Sequence, residues 1–146
     1  MPHRMAQLIY VSTARPHLSE TDVADIVQAS RRNNARREVT GLLVFNGMNF
    51  MQALEGPEDV LVATFRAICS DTRHEGVVTI ATKGLTEREF PDWSMGFERL
   101  DPDAPERHQL ILIDERLREK LPERVPESTA RLFLSFNSLG RNREML

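Results

Sequence analysis

Apolar positions recur along this chain with two periods, and the places where the period changes divide it into elements. Ala6 to Thr13 is a short β-branched apolar run that stops before Pro16, the pattern of a strand. Ser19-Glu20-Thr21-Asp22 opens a helix, with Ser19 as N-cap and Asp22 at the capping-box position. The stripe Val23, Ile26, Val27, Ser30, Asn34 follows at spacings of three and four, so all five face one way. Val39 to Phe45 reads as a second strand, Asn46-Gly47 as a two-residue hairpin signal, and Asn49 to Glu55 as the returning strand. On that third strand Phe50, Gln52 and Leu54 share one face, and Met51 and Ala53 the other. Gly56-Pro57-Glu58-Asp59 begins a second helix, with proline in the first turn and acids at the positive end of the dipole. Its apolar positions are Leu61, Phe65 and Ile68, and Asp71 to Gly76 ends it. Val77 to Thr82 is a fourth strand and Trp93 to Glu98 a short fifth.

The order is strand-helix-strand-strand-helix-strand-strand. This predicts an α+β class, a ferredoxin-like βαββαββ sheet with two helices on one face. The other face needs a cover. Asp101-Pro102-Asp103-Ala104-Pro105 reads as a linker. Ile111 to Lys120 looks helical, Pro122 and Pro126 interrupt it, and Ser128 to Leu139 is a further helix, apolar at Leu132, Phe133, Phe136 and Leu139. The expected organisation is a domain over residues 1–100 and a helical cap or output segment over 101–146, covering the bare face.

Composition narrows the function classes. A chain of 146 residues is long enough for one domain with a real core, and its net charge of −3 is spread along it. Arg31 to Arg37 is locally basic but lacks interleaved aromatics, so it reads as the cationic end of a helix, not a nucleic-acid interface. Cys69 is the one cysteine; it excludes an intrachain disulfide, fits a reducing compartment, and reads as a small buried filler in its helix. No apolar run is long enough to cross a membrane and the N-terminus leads into no secretory segment, which together point to the cytoplasm. His3, His17, His74 and His108 have no metal-site spacing. No G-x-S-x-G elbow, phosphate-binding loop or G-x-G-x-x-G occurs, and no carboxylate pair for hydrolysis stands out. The residues show no enzyme active site and no metal site.

What they do show is polarity where an apolar core belongs. Tyr10 lies within Leu8-Ile9-Tyr10-Val11, Gln52 within Phe50 to Leu54, and Ser30 and Asn34 extend an apolar helix stripe. Buried phenols, amides and hydroxyls cost free energy unless paired. If the first and third strands are neighbours, Tyr10 and Gln52 point side by side toward the helices, with Ser30 and Asn34 above them. Such a set suits a planar heterocycle with carbonyls and ring nitrogens. The competing reading is four scattered polar residues, each satisfied locally. Likewise Trp93 and Met95 fit plain core packing, and Arg73 and His74 fit a solvated helix end. Pattern alone reaches an α+β domain with a polar ligand pocket.

These residues also resemble the BLUF family, blue-light sensors that use flavin adenine dinucleotide (FAD). The resemblance runs over about residues 5–98, through LIYVS (8–12), SRRNN (30–34), VTGLL (39–43), FMQALEGP (50–57), DTRH (71–74) and FPDWSMGF (90–97). It implies that Tyr10 is the photochemical electron and proton donor and that Gln52 lies between it and the flavin N5 and O4 atoms. It implies that Asn34 holds the O4 and N3 edge, with Asn33 adjoining it and Ser30 near the tyrosine–glutamine pair. Asp71, Arg73 and His74 match the segment around the ribityl and phosphate side. Trp93 and Met95 match two residues near the glutamine whose positions exchange with signalling state. The implied mechanism is a light-driven rotation or tautomerisation of Gln52 that red-shifts the flavin band, with no covalent flavin bond and no role for Cys69. The chain would be a short stand-alone member, signalling to a separate downstream protein through its tail or an oligomer interface, and is expected to be a homo-oligomer without nucleic-acid or membrane partners. The rival readings are a small flavin-dependent oxidoreductase and a ligand-free ferredoxin-like interaction module.

Overall fold

Local signals at the ends of each segment set the elements. The computed structural model describes residues 4–91 and 121–135, and the backbone of 96–99. The elements are β1 (Met5–Ala14), α1 (Glu20–Arg37), β2 (Thr40–Phe45), β3 (Asn49–Pro57), α2 (Glu58–Cys69), β4 (His74–Leu85), β5 (Gly96–Arg99) and α3 (Glu127–Ser135). At the start of α1 the Ser19 hydroxyl accepts from the Asp22 N–H at 3.0 Å, and the Asp22 carboxylate accepts from the Ser19 N–H at 3.1 Å. The capping box is therefore complete with aspartate in the place of the commoner glutamate. Glu38 ends α1 in the left-handed conformation (φ 59°), and its N–H and that of Val39 both turn back to the Asn34 carbonyl.

The sheet order is β4-β1-β3-β2-β5. The β1–β3, β1–β4 and β2–β3 pairs are antiparallel, and β5 runs parallel to β2. Gly41 lets β2 approach β3: a Cβ there would lie 1.8 Å from the Ala53 carbonyl oxygen. Alternation then sends side chains to two cores. On one face Tyr10, Leu43, Phe45, Phe50 and Leu54 meet Val23 and Val27 of α1 and Leu61 of α2. On the other, Ile9, Leu42, Val44, Met51 and Ala53 meet Phe90 and Phe133, with Leu121, Val125 and Leu132 alongside. The ferredoxin-like α+β architecture is present, and α3 with the residues before it covers the second face.

Several expectations need correction. β4 extends three residues beyond the apolar run 77–82 at each end, because pairing with β1 continues from Ala14↔His74 to Met5↔Leu85 whatever the side chains. His74 therefore begins a strand and does not sit in a helix-ending loop. Gly56 and Pro57 finish β3 against Ala6 and Met5, and α2 starts only at Glu58. The hairpin tip is Gly47–Met48, one residue later than the Asn-Gly signal, because the Asn46 side chain accepts the N–H groups of Met48 (3.0 Å) and Asn49 (2.7 Å). Cys69 is exposed, not a buried filler. The buried stripe of α2 runs through Leu61, Thr64, Phe65 and Ile68, and Cys69 lies one position round the helix from it. The described part of the last helix is Glu127–Ser135, and the helix expected over 111–120 falls outside the described residues.

Candidate functional site

The β1–β3 ladder places Tyr10 directly opposite Gln52, both on the helix-covered face. Opposed residues of an antiparallel pair have Cβ atoms about 5 Å apart, close enough for a phenol to reach an amide. The Tyr10 hydroxyl donates to Gln52 Oε1 at 2.5 Å. Tyr10 is 3% exposed and Gln52 2%. Burial pushes the Tyr10 phenol well above its ordinary pKa, with smaller contributions of the same sign from Cys69 and Asp71. The phenol is thus held protonated and acts as a donor. With Oε1 committed to tyrosine, the Gln52 amide turns its NH₂ end away from Tyr10.

Both residues line a cavity of about 150 Å³ between the sheet and the two helices. α1 brings Ser30, Asn33 and Asn34 to its wall. Asn34 is buried in the last full turn of α1, where its own carbonyl carries the helix-end bonds, whereas Asn33 is exposed and stands at the mouth. Apolar walls come from Ile26, Leu43, Phe50 and Ile68.

The turn between α2 and β4 closes the remaining side with Asp71, Arg73 and His74. Arg73 forks onto Asp71 through Nε (2.9 Å) and Nη2 (2.6 Å), and its backbone N–H adds a third bond to the same carboxylate at 2.9 Å. Hydrogen bonding from the Arg73 side chain holds the Asp71 carboxyl below its usual range. His74 spans two elements: Nε2 lies 2.7 Å from the Ile68 carbonyl and Nδ1 2.8 Å from the Ser12 hydroxyl. A carbonyl only accepts, so the network assigns the proton to Nε2, and in the neutral ring Nδ1 accepts from Ser12. His74 also meets Tyr10 and Phe50 edge-on, at 6.3 and 6.2 Å between ring centres.

All eight residues singled out around the pocket (Tyr10, Ser30, Asn33, Asn34, Gln52, Asp71, Arg73 and His74) therefore line one cavity. Trp93 and Met95 lie outside the described residues. The lining combines apolar walls with the Gln52 amide and Tyr10 phenol at the floor, the Asn34 amide on the α1 wall, and hydroxyl, amide and guanidinium groups around the rest. It fits a planar heterocycle with carbonyl and ring-nitrogen edges and a polar, anionic tail. The family model for BLUF, sensors of blue-light using FAD, matches residues 5–96.

The chain belongs to the BLUF family. The BLUF match covers the four strands and two helices that line the cavity, and the fit of the lining agrees with FAD as the family's cofactor. The chain is 35% identical over 107 residues to the blue light- and temperature-regulated antirepressor BluF of Escherichia coli (strain K12), covering 73% of this chain and 26% of that protein. It is 38% identical over 93 residues to the photoactivated adenylate cyclase subunit beta of Euglena gracilis, covering 62% of this chain and 11% of that one. This BLUF chain thus spans about a quarter or less of those two relatives. Among solved structures, the dark state of the BLUF protein BlrB aligns with a TM-score of 0.70 at 33% identity, over 92% of this chain and 98% of that one. The family description makes the BLUF unit a sensor of blue light.

Pattern reasoning missed two polar residues of the BLUF cavity. Arg37 and Thr64 also line it, and Arg37 Nη1 lies 3.5 Å from the Thr64 hydroxyl. In the sequence Arg37 reads as part of a basic helix end. Thr64 had one usable signal, its place on the same helix face as Leu61 and Ile68.

Proposed function

We propose that this BLUF chain is a blue-light photoreceptor in which the Tyr10–Gln52 hydrogen bond is the switching element. The observation that carries this is the buried 2.5 Å bond from the Tyr10 hydroxyl to Gln52 Oε1 on the floor of a cavity suited to a flavin. When bound, the flavin absorbs blue light and is a one-electron acceptor. Tyr10 is the only phenol in the chain and is held protonated, so it has both an electron and a proton to give. Gln52 Oε1 is the acceptor in line for that proton. Rotation of the amide by half a turn would place Nε2 against the Tyr10 oxygen and Oε1 where the NH₂ group had been, exchanging donor for acceptor. The two arrangements are discrete, so they can act as two states.

Asn34 presents a two-ended amide to the same slot, Ser30 and Asn33 extend the polar wall of α1, and Asp71, Arg73 and His74 frame the side toward the tail of the cofactor. Trp93 and Met95 are assigned to signalling. Residues 1–100 are the sensor and 101–146 the cap and output segment. The signal passes to a separate protein, in keeping with a relative named as an antirepressor. The working unit is a homo-oligomer in the cytoplasm; among the described residues no helix is long and apolar enough to cross a membrane. The test is Gln52→Leu at equal flavin content. Loss of the reversible red shift is expected, and an intact shift would remove Gln52 from the switch.

A further inference from the structure

The face of the sheet opposite the cavity holds a buried polar cluster that flavin binding does not use. Glu55 of β3 is 0% exposed. Its Oε1 accepts the backbone N–H groups of Glu89 (2.9 Å) and Phe90 (2.8 Å), and its Oε2 accepts from Gln7 Nε2 of β1 at 2.7 Å. The same Gln7 nitrogen donates its second hydrogen to Glu89 Oε1 at 2.8 Å. Lys83 of β4 donates to Glu89 Oε2 at 2.5 Å and to the Thr129 hydroxyl at 3.2 Å. Thr129 belongs to α3, is itself buried, and its hydroxyl donates to Glu89 Oε1 at 3.2 Å. Three strands, the 86–91 segment and α3 therefore meet at two carboxylates, one amide, one ammonium and one hydroxyl. Burial pushes the Glu55 carboxyl up, opposed by the N–H groups aimed at it. Gln7, Glu55, Glu89 and Thr129 are buried while the Lys83 side chain is 37% exposed; buried carboxylates are costly unless their partners stay in place, so the cluster holds α3 in one position.

Its place in the register gives the cluster a second meaning. Gln7 faces Glu55 in the same β1–β3 ladder in which Tyr10 faces Gln52, three residues along and on the opposite face. The two cross-strand ties are about 10 Å apart along the strands. Each ties the same two strands from one side, and strand twist responds to such pairs. β4 is bulged beside Tyr10, between Ile9↔Ala81 and Tyr10↔Thr79, so the ladder next to the switch has slack on that side.

Resting on the photoreceptor reading above, the geometry points to the Gln7–Glu55–Glu89–Lys83–Thr129 cluster as the latch through which the state of the Tyr10–Gln52 pair is passed to α3. In the dark arrangement both ties are closed and α3 is docked. Exchange of donor and acceptor at Gln52 alters the β1–β3 pair, the Gln7 bridge between the two carboxylates lengthens, and the Thr129 contact with Glu89 loosens. α3 and its Phe133 anchor are the element that moves.

The test is hydrogen exchange of the α3 peptides in the flavin-loaded full chain, in the dark and under continuous blue light, with the absorption spectrum recorded on the same samples. Wild type should show α3 exchange about tenfold faster in light, the scale set by one hydrogen bond to a charged group. Thr129→Val keeps the side chain's shape and removes only the hydroxyl. It should keep the full flavin red shift, exchange fast in α3 already in the dark, and bring the light-to-dark ratio near one. Thr129→Ser restores the hydroxyl and should restore the wild-type ratio. A normal red shift with no light effect on α3 in wild type, or a wild-type ratio retained in Thr129→Val, overturns the latch and leaves the photoreceptor reading standing. Absence of any red shift in wild type overturns both.

Discussion

Replacing Tyr10 by phenylalanine separates the switch from the scaffold that carries it. The ring is the larger part of the side chain's packing: it lies 5.8 Å from the Phe65 ring and 6.3 Å from His74, centre to centre, and sits among Val23, Val27 and Leu61. Phenylalanine keeps all of that, so no large cavity forms. What is lost is one donor, and Gln52 Oε1, in a side chain only 2% exposed, is left without the bond it made at 2.5 Å. Stranding a buried neutral acceptor costs about 1–3 kcal/mol, which a domain of this size survives. The variant should therefore fold, bind flavin and keep its yellow colour, with a urea midpoint lowered by about 1 M for a slope near 2 kcal/mol/M. Its light response should vanish, because neither an electron nor a proton is available beside Gln52. The assay is a light-minus-dark difference spectrum at matched flavin occupancy, paired with urea unfolding. A reversible red shift of wild-type size in Tyr10→Phe would refute the assignment of Tyr10.

Other consequences follow from single contacts. Phe133 is fully buried and meets Phe90 edge-on at 6.0 Å, so Phe133→Ala should cost about 3–5 kcal/mol in urea unfolding while leaving bound flavin in place; a loss below about 1 kcal/mol would mean that α3 is not docked in solution as described. Asp71 is held below its usual range by Arg73, so the folded-state pKa lies under the unfolded value of about 3.9. Its contribution to stability is complete above that range and disappears as pH falls through the lowered folded value. The difference in urea midpoint between wild type and Asp71→Asn should thus be constant near neutrality and shrink in acid; a difference that grew on acidification would contradict the sign.

The strands and helices around the pocket could be read from the chain because their signals are local. Period-two alternation put Tyr10 and Gln52 on one face, and the capping box and stripe of the first helix aimed Ser30 and Asn34 at them. What escaped depends on partners distant in the chain. Glu55 reads only as a charged residue at the end of a strand, yet its burial is made possible by Gln7, 48 residues away, and by N–H groups 34 and 35 residues away. His74 follows a helix end in a polar stretch, and only its pairing with Ala14 turns it inward. Cys69 misled in the opposite sense: an apolar residue at the end of an apolar helix was one step off the buried stripe.

The most direct measurement is the absorption spectrum of the purified chain in the dark, after a blue flash and through dark return. A structured flavin band that moves to the red within the flash and recovers fully is the expected result. A bound flavin band that light leaves in place, with Tyr10 and Gln52 intact, would contradict the account at its centre.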